Sequence, residues 1–331
     1  MNAKILFWLL TTVLLTTAPL AQAQQSGKIF RIGFLDNSTA SGIAVLLDAF
    51  RQELSKLGWI EGKNIIIEYR FAEQKLERLP ELAAELVRLK VDLIVTSGGP
   101  TPFAAKKATS TIPIVMTVSV DPVGSGLVAS LARPGGNVTG NSNLAPELNT
   151  KRLEVLKDAI PKLSRVGYLR TPEQGISIDG DLQWKQLRPA GLALKLNLEV
   201  IETEPDAKGL ERAFQTAKQK HVGAIMMTGG RRLGAERRRI VELAVKHRLP
   251  AIYPDKAYVE AGGLMSYGTD PTDLWRRAAN HVDKILRGTK PADIPVEQPM
   301  RFEFVINLKA AKQIGLTLSP AFLSRANRVI Q

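Results

Sequence analysis

The sequence predicts an α/β protein in which two open, parallel-sheet units follow one another along the chain. Short apolar runs alternate with longer stretches of helical periodicity, which is the pattern of a parallel sheet covered by helices on both faces. The alternation restarts near residue 145. The length of 331 residues suits two domains, because single hydrophobic cores seldom grow beyond about 250–300 residues. Two such units suggest two lobes with a cleft between them.

The first unit begins with an apolar, strand-like run and then alternates regularly. The expected strands are IFRIGFL (29–35), NIIIEYRF (64–71), VDLIVTS (91–97) and IPIVMTV (112–118). The expected helices are SGIAVLLDAFRQELSKLGW (41–59), LERLPELAAELVRLK (76–90) and TPFAAKKATS (101–110). A further helix is expected after Asp121, with Pro122 as its first residue, because aspartate favours the N-cap and proline the first turn.

The second unit repeats this order. The expected strands are SRVGYLR (164–170), NLEVIETE (197–204), VGAIMMT (222–228), LPAIYP (249–254) and GGLMSYG (262–268). The expected helices are 147–163, 181–196, 207–220, 235–248 and 272–288, and RFEFVINLKAAKQIGL (301–316) predicts a strand that runs into a helix. Pro189 is expected to kink or break its helix, since proline lacks an N–H and its ring clashes with the preceding turn.

The N-terminus, MNAKILFWLLTTVLLTTAPLAQAQQ, has the organisation of a secretory signal peptide. Lys4 precedes an apolar run over residues 5–15, and residues 21–23 form a small-x-small exit. The run is too short for a comfortable membrane span, which argues against the alternative of an uncleaved membrane anchor. We expect cleavage after Ala23 and a periplasmic mature protein with no membrane span. Because the chain has no cysteine, neither a lipoprotein nor a disulfide is expected.

Charge and residue types argue against several classes of function. The formal charge of +13 is spread over many helices without a basic arm or zinc-finger spacing, so we expect no nucleic-acid partner. His221, His247 and His281 stand singly, without neighbours at metal-ligand spacing. No nucleophile elbow or Walker loop is present. We expect no metal, no cofactor and no enzymatic activity, with a secreted hydrolase as an alternative.

The loops that follow the strands carry the candidate site. In open α/β sheets the ligand lies beyond the carboxyl ends of the strands. These loops are rich in glycine and in hydroxyl and amide side chains, and several of them open helices, whose free N–H groups attract anions. They are DNSTASG (36–42), SGGPT (97–101), SVDPVG (119–124), TGGRR (228–232) and YPDKAY (253–258). Such a cleft suits a small ligand that carries a carboxylate.

Four segments together resemble the solute-binding proteins of tryptophan/tyrosine-type ABC importers. They are DPVGSGLVASLARPGGNVTG (121–140), KRLEVLKDAIPKLSRVGYL (151–169), RLPAIYPDKAYVEAGGLMSYG (248–268) and VEQPMRFEFVINLKAAKQIGLTLSP (296–320). The resemblance runs from about Ile29 to the C-terminus. It implies the type I periplasmic-binding-protein architecture, with two Rossmann-like lobes and three hinge crossings. The implied lobes are 28–141 with about 268–299, and 142–267 with about 300–331, after a signal peptide at 1–23.

The resemblance also implies a function. An extracytoplasmic protein of this kind captures a small polar ligand, here an amino acid or related carboxylate, and delivers it to an ABC permease in the inner membrane. A ligand-sensing module that serves a receptor is an alternative with the same fold.

Twelve ligand-binding residues follow from the resemblance and from the positions of the loops. They are Asn37, Ser38, Ser97, Gly98, Thr101, Ser119, Asp121 and Asn141 on the first lobe, and Thr228, Tyr253, Asp255 and Tyr267 on the second. Helix capping is the alternative role for the hydroxyl and carboxylate groups, and half-buried packing is the alternative for the tyrosines.

Two arginines depart from the pattern of the relatives. Arg231 and Arg232 stand in a loop where apolar or aromatic residues are typical. An arginine that entered the cleft would favour an acidic ligand, because its guanidinium binds carboxylate through two parallel hydrogen bonds. We expect both side chains to point outward as surface charge.

Overall fold

The computed structural model describes residues 28–172 and 178–331. The predicted signal peptide and its cleavage site lie outside the described residues. Within these two ranges, no helix is both long enough and apolar enough to cross a membrane.

The first lobe is built on a five-stranded parallel sheet with the order β2-β1-β3-β4-β5. Its strands are β1 (Phe30–Asp36), β2 (Ile65–Phe71), β3 (Leu93–Thr96), β4 (Ile114–Ser119) and β5 (Val138–Ser142). Between them run α1 (Ala44–Lys56), α2 (Leu79–Arg88) and α3 (Thr101–Ala108), with short 3-10 turns at Ser41–Ile43 and Leu76–Arg78. The four predicted strands and the first three predicted helices of this unit are present, and β5 adds a strand that was not predicted from the sequence.

The second lobe is built on a seven-stranded sheet with the order β12-β11-β10-β9-β8-β6-β7. Its strands are β6 (Arg165–Arg170), β7 (Asn197–Glu202), β8 (Ala224–Met227), β9 (Ala251–Tyr253), β10 (Met265–Gly268), β11 (Glu303–Asn307) and β12 (Arg328–Ile330). The helices of this lobe are α4 (Ala145–Ala159), α5 (Ile178–Ala193), α6 (Ala207–Gln219), α7 (Arg231–Ala235), α8 (Arg237–Lys246), α9 (Lys256–Glu260), α11 (Leu308–Ile314) and α12 (Pro320–Leu323). All strand pairs are parallel except β10 with β11.

The helix α10 (Pro271–Leu286) completes the first lobe although it follows β10 of the second lobe in the chain. Its Trp275, Ala278 and Val282 are buried in one core with Ile32 and Phe34 of β1. The chain therefore passes from sheet to sheet three times, after β5, after β10, and after Glu297, whose backbone pairs with the edge strand β5. A 3-10 turn at Pro291–Asp293 precedes this last passage.

The predicted helix after Asp121 is wrong, because residues 122–126 form consecutive turns instead. Asp121 does cap them: its Oδ1 accepts a hydrogen bond from the Gly124 N–H at 2.8 Å. One helix-like hydrogen bond follows, from the Ser125 N–H to the Asp121 carbonyl. Gly126 then takes a φ of +73°, a left-handed conformation that ends the turn before a helix can grow.

The helix α5 includes Pro189 and continues to Ala193. The predicted break therefore does not occur. Proline in a helix interior removes one backbone hydrogen bond, and neighbouring packing can compensate for that loss. Leu187, two residues before the proline, is buried in the core of the second lobe, and Ala190 and Leu194 pack against that core.

Candidate functional site

The carboxyl ends of four neighbouring strands of the first lobe form a polar arc beneath α10. Residues 32 and 34 of β1, 93 and 95 of β3, and 115 of β4 are buried on the face that packs against α1 and α10. Since side chains alternate along a strand, the same face continues to Asp36, Ser97 and Thr117. On β5 this face carries Asn141, whose amide donates to the Leu274 carbonyl of α10 at 2.9 Å. We call Asp36, Ser97, Thr117 and Asn141 the polar arc.

Three atoms of the polar arc are buried without a hydrogen-bond partner in the described part of the chain. They are the hydroxyl oxygens of Ser97 and Thr117 and the amide oxygen of Asn141, and Asn37 Oδ1 beside Asp36 shares this property. Buried polar atoms are nearly always paired in folded proteins. A cluster of exceptions at the carboxyl edge of one sheet indicates a place where a polar ligand completes the pairing.

Arg231 reaches this arc from the second lobe. Its guanidinium donates to the Asp36 carboxylate and, at 2.6 Å, to the backbone carbonyl of Ser97. The side chain of Asp36 is fully buried and that of Arg231 is 22% exposed. The expectation that Arg231 points outward is therefore wrong. Arg232 instead donates to Glu204 at 3.2 Å within its own lobe.

The loop after β3 is held tightly in place. Gly98 has a φ of +90°, and a Cβ at this position would lie 2.9 Å from the Val118 carbonyl oxygen, so another residue would strain the loop. Thr101 is fully buried at the start of α3 and donates its hydroxyl to the Gly98 carbonyl at 2.9 Å. This contact holds the loop that follows Ser97, whose own hydroxyl lacks a partner among the described residues.

The remaining first-lobe predictions fall beside the arc. Ser38 is buried, and its N–H donates to Asp36 Oδ1 at 2.5 Å, so it supports the carboxylate that Arg231 contacts. Ser119 is buried at the end of β4, and its carbonyl accepts from the Asn143 N–H at 2.9 Å, at the first passage between the lobes. One carboxylate oxygen of Asp121 accepts the hydrogen bond from the Gly124 N–H within its own turn.

Several polar side chains at the facing edge of the second lobe are hydrogen-bonded within that lobe. Thr228 Oγ1 lies 3.1 Å from the Tyr168 hydroxyl. Asp255 caps α9 by accepting from the Ala257 N–H at 2.9 Å. Burial raises the pKa of the Asp255 carboxyl, and the positive charge of Arg152 acts in the opposite direction.

Arg152 of α4 ties this edge together. It is 3% exposed, and it donates to the Tyr267 carbonyl at 2.7 Å, the Pro254 carbonyl at 3.3 Å and Asn149 Oδ1 at 2.6 Å. Burial lowers its pKa to about 10, and the nearby Asp255 carboxylate opposes that shift. The three hydrogen bonds offset part of the cost of burying the charge.

The tyrosines of the second lobe differ in placement. Tyr253 is fully buried on the α8 side of the sheet and stacks on Tyr258 with ring centroids 4.9 Å apart. Tyr267 is half-buried and stacks on Phe302 with centroids 6.3 Å apart. The ring contacts of both tyrosines fit packing, and the Tyr253 hydroxyl is also buried without a hydrogen-bond partner among the described residues.

Four residues of this region were absent from the sequence-based site. From the sequence, Asp36 was placed in a loop, Thr117 in a strand, and Arg152 and Trp275 in helices, without a role in the site. A carboxylate directly after a buried strand was a usable signal for Asp36. Nothing in the periodicity distinguishes Arg152 from the exposed arginines, because burial of a helix position depends on the loops that cover it.

A family model for the ABC transporter substrate binding protein matches residues 40–330. The chain is 28% identical over 267 residues to a tyrosine-binding protein of Clostridioides difficile strain R20291, covering 81% of this chain and 75% of that one.

Two solved structures share the fold closely. A conserved domain protein of Vibrio cholerae has a TM-score of 0.82 and 26% identity, over 91% of this chain and 100% of that one. The ABC domain of Streptococcus pneumoniae in complex with L-Trp has a TM-score of 0.79 and 25% identity, over 91% and 99%. The predicted α/β fold of two lobes is confirmed. With a family model that spans most of its length, this chain belongs to the ABC transporter substrate-binding protein family.

Proposed function

We propose that this protein binds an amino acid, with its free carboxylate and ammonium groups, in the cleft between the lobes. The observation that carries the proposal is the set of unpaired polar atoms on and beside the polar arc: Ser97 Oγ, Thr117 Oγ1, Asn141 Oδ1 and Asn37 Oδ1. The set offers both donors and acceptors. A zwitterion needs both kinds of group at once.

The chemistry of the four groups suits the two ends of an amino acid. The hydroxyls of Ser97 and Thr117 can donate to a carboxylate. The amide oxygens of Asn37 and Asn141 accept hydrogen bonds and suit an ammonium group. The names of the relatives support this ligand class, since one is a tyrosine-binding protein and another was solved with L-Trp.

The second lobe would supply the opposite wall. Thr228, Asp255 and Tyr267 lie at its carboxyl edge. A ligand that contacts both lobes favours the arrangement in which they are close together. Binding is therefore coupled to closure, and no covalent step is required.

We further propose the setting of this function. A signal peptide cleaved after Ala23 would place the protein in the periplasm, where an ABC permease of the inner membrane receives the ligand. The lobes would comprise 28–141 with about 268–299, and 142–267 with about 300–331. A sensory role toward a receptor remains the second candidate, and genes for a permease and ATPase beside this one would argue against it.

A thermal-shift screen of the protein from Gln24 onward tests the ligand class. The panel contains L-tyrosine, L-tryptophan, L-glutamine, L-glutamate, succinate and small sugars. A ligand at a hundredfold excess over its Kd adds about 2.7 kcal/mol to the free energy of unfolding, so the melting temperature rises by several degrees. A rise with amino acids and not with sugars supports the proposal. A rise with sugars alone contradicts it, and recovery of a chemically altered ligand would indicate an enzyme.

A further inference from the structure

An ion pair between Arg231 and Asp36 joins the two lobes at the polar arc. Arg231 begins α7 of the second lobe, whereas Asp36 ends β1 of the first. The carboxylate of Asp36 is fully buried and only 22% of the Arg231 side chain is exposed. We call these two residues the interlobe pair. A pair shielded to this degree interacts more strongly than an exposed one, because less water screens it.

The guanidinium of Arg231 is engaged on several sides. Besides the Asp36 carboxylate, it contacts the Ser97 carbonyl at 2.6 Å and lies 5.8 Å from the ring centroid of Trp275. The other carboxylate oxygen of Asp36 accepts a hydrogen bond from the Ser38 N–H at 2.5 Å. All of these partners belong to the first lobe. The contacts therefore exist only while the lobes are close together, and they favour that arrangement.

The charge of Arg231 is neutralised in this position. A ligand carboxylate that sought the guanidinium would have to displace Asp36 and leave a buried carboxylate without its cation, which is strongly unfavourable. A ligand without extra negative charge leaves the interlobe pair intact. An unpaired arginine in the cleft would favour an acidic ligand. Because Arg231 is paired with Asp36, it disfavours one.

We propose that Arg231 is a specificity-determining residue whose pair with Asp36 holds the lobes together and makes the cleft select net-neutral amino acids over dicarboxylic ones. The selectivity rests on the proposed amino-acid function, whereas the effect on closure does not require any ligand. Arg232 provides a matched control, because it is the adjacent arginine and contacts Glu204 of its own lobe.

The closing role is tested without ligand. Since the chain has no cysteine, Val45→Cys on α1 and Arg238→Cys on α8 introduce two exposed labelling sites, one on each lobe. Energy transfer between dyes at these sites is measured in the parent protein and with Arg231→Ala or Arg232→Ala added. We expect Arg231→Ala to lower transfer, with the ratio of closed to open molecules falling about tenfold, and Arg232→Ala to leave it unchanged. Equal transfer in all three proteins overturns the closing role.

A milder variant guards against misfolding. Arg231→Lys keeps the charge but presents a single ammonium in place of the planar fork, so its transfer should lie between those of the parent and Arg231→Ala. Circular dichroism must show native secondary structure in each variant. If Arg231→Ala is unfolded, the Arg231→Lys result decides.

The selectivity is tested with L-glutamine and L-glutamate, which differ mainly in side-chain charge. Calorimetry should give tighter binding of glutamine to the wild-type protein. Asp36→Asn frees the guanidinium, so the preference for glutamine should fall about tenfold, and adding Arg231→Ala should remove that gain for glutamate. Wild-type preference for glutamate, or an unaltered ratio in Asp36→Asn, overturns the selectivity. If neither amino acid binds, this selectivity fails. The thermal-shift screen with L-tyrosine and L-tryptophan then decides the amino-acid function, and the energy-transfer result still decides the closing role.

Discussion

The two walls of the cleft differ in how their polar side chains are hydrogen-bonded. On the first lobe, Ser97, Thr117 and Asn141 bury polar atoms that have no partner within the described residues. On the second, Arg152 makes three hydrogen bonds, Asp255 caps a helix, and Tyr168 pairs with Thr228. The unpaired groups of the first wall are therefore available to a ligand. The groups named on the second wall are paired within their own lobe, whereas the Tyr253 and Tyr258 hydroxyls behind them are buried without a partner among the described residues. Substitutions on the first wall should alter affinity, and substitutions on the second should alter stability.

The largest effect is expected at Arg152. Arg152→Leu keeps the bulk of the side chain but leaves Asn149 Oδ1 and the carbonyls of Pro254 and Tyr267 without their donor. Loss of such buried partners costs about 3 kcal/mol in the free energy of unfolding. Urea denaturation measures the loss. The control is Arg238→Leu, an exposed arginine that should change stability by less than about 0.5 kcal/mol. Equal stability of the two variants would remove the contrast between the walls.

The next effect is expected on affinity at Ser97. Its hydroxyl is buried and has no partner among the described residues, so Ser97→Ala removes a donor that only a ligand would use. We expect affinity for the amino acid found in the screen to weaken about tenfold, that is by about 1.4 kcal/mol. The melting temperature of the ligand-free protein should stay unchanged. Unaltered affinity would take Ser97 out of the site, and a large loss of stability would assign it a structural role.

A smaller change in stability is expected at Tyr168. Tyr168→Phe removes the hydroxyl that lies 3.1 Å from Thr228 Oγ1 and keeps the ring that stacks on Trp184. The free energy of unfolding should fall by about 1 kcal/mol. Thr228→Val and the double variant complete a cycle, in which the two losses should add to more than the loss in the double variant. Strict additivity would show that the two hydroxyls do not interact.

The smallest effect is expected at Asp255. Asparagine can still accept from the Ala257 N–H, so Asp255→Asn should change stability at pH 7 by less than about 0.5 kcal/mol. Its pH dependence should differ. Because burial raises the pKa of Asp255, the folded state holds this proton above the ordinary value of 3.8, and its contribution to stability falls as pH rises through that window. Melting temperatures at pH 4 and 7 should therefore show a relative gain for the asparagine variant at pH 7. A relative loss would contradict the direction of the shift.

The contrast between the walls explains what the sequence could predict. Alternating apolar runs identify strands and helices because the spacing of apolar residues within a single segment is enough to distinguish the two. They also place Ser97 at the end of a strand, whereas Asn141 lies on β5, which the apolar runs did not identify. Whether a side chain there is already paired depends on remote residues, as when Arg152 meets carbonyls at positions 254 and 267. Local pattern carries no such information.

The same limit explains the error at Arg231. Its loop is glycine-rich and basic, which is typical of surface, and its partner Asp36 lies 195 residues away. The missing helix after Asp121 has a local cause instead. Asp-Pro begins a turn well, but Gly124 and Gly126 weaken a helix that has no long apolar stripe to bury.

The position of α10 in the chain has a consequence for how the protein acquires its structure during synthesis. One face of the first sheet, with Ile32, Phe34 and Val115, is covered by α10, which begins only at Pro271. Until that late segment is available, the N-terminal sheet keeps apolar surface exposed and cannot reach its final stability. On a chain synthesised from its N-terminus, the first lobe therefore cannot complete its core before residues 271–286 have been made.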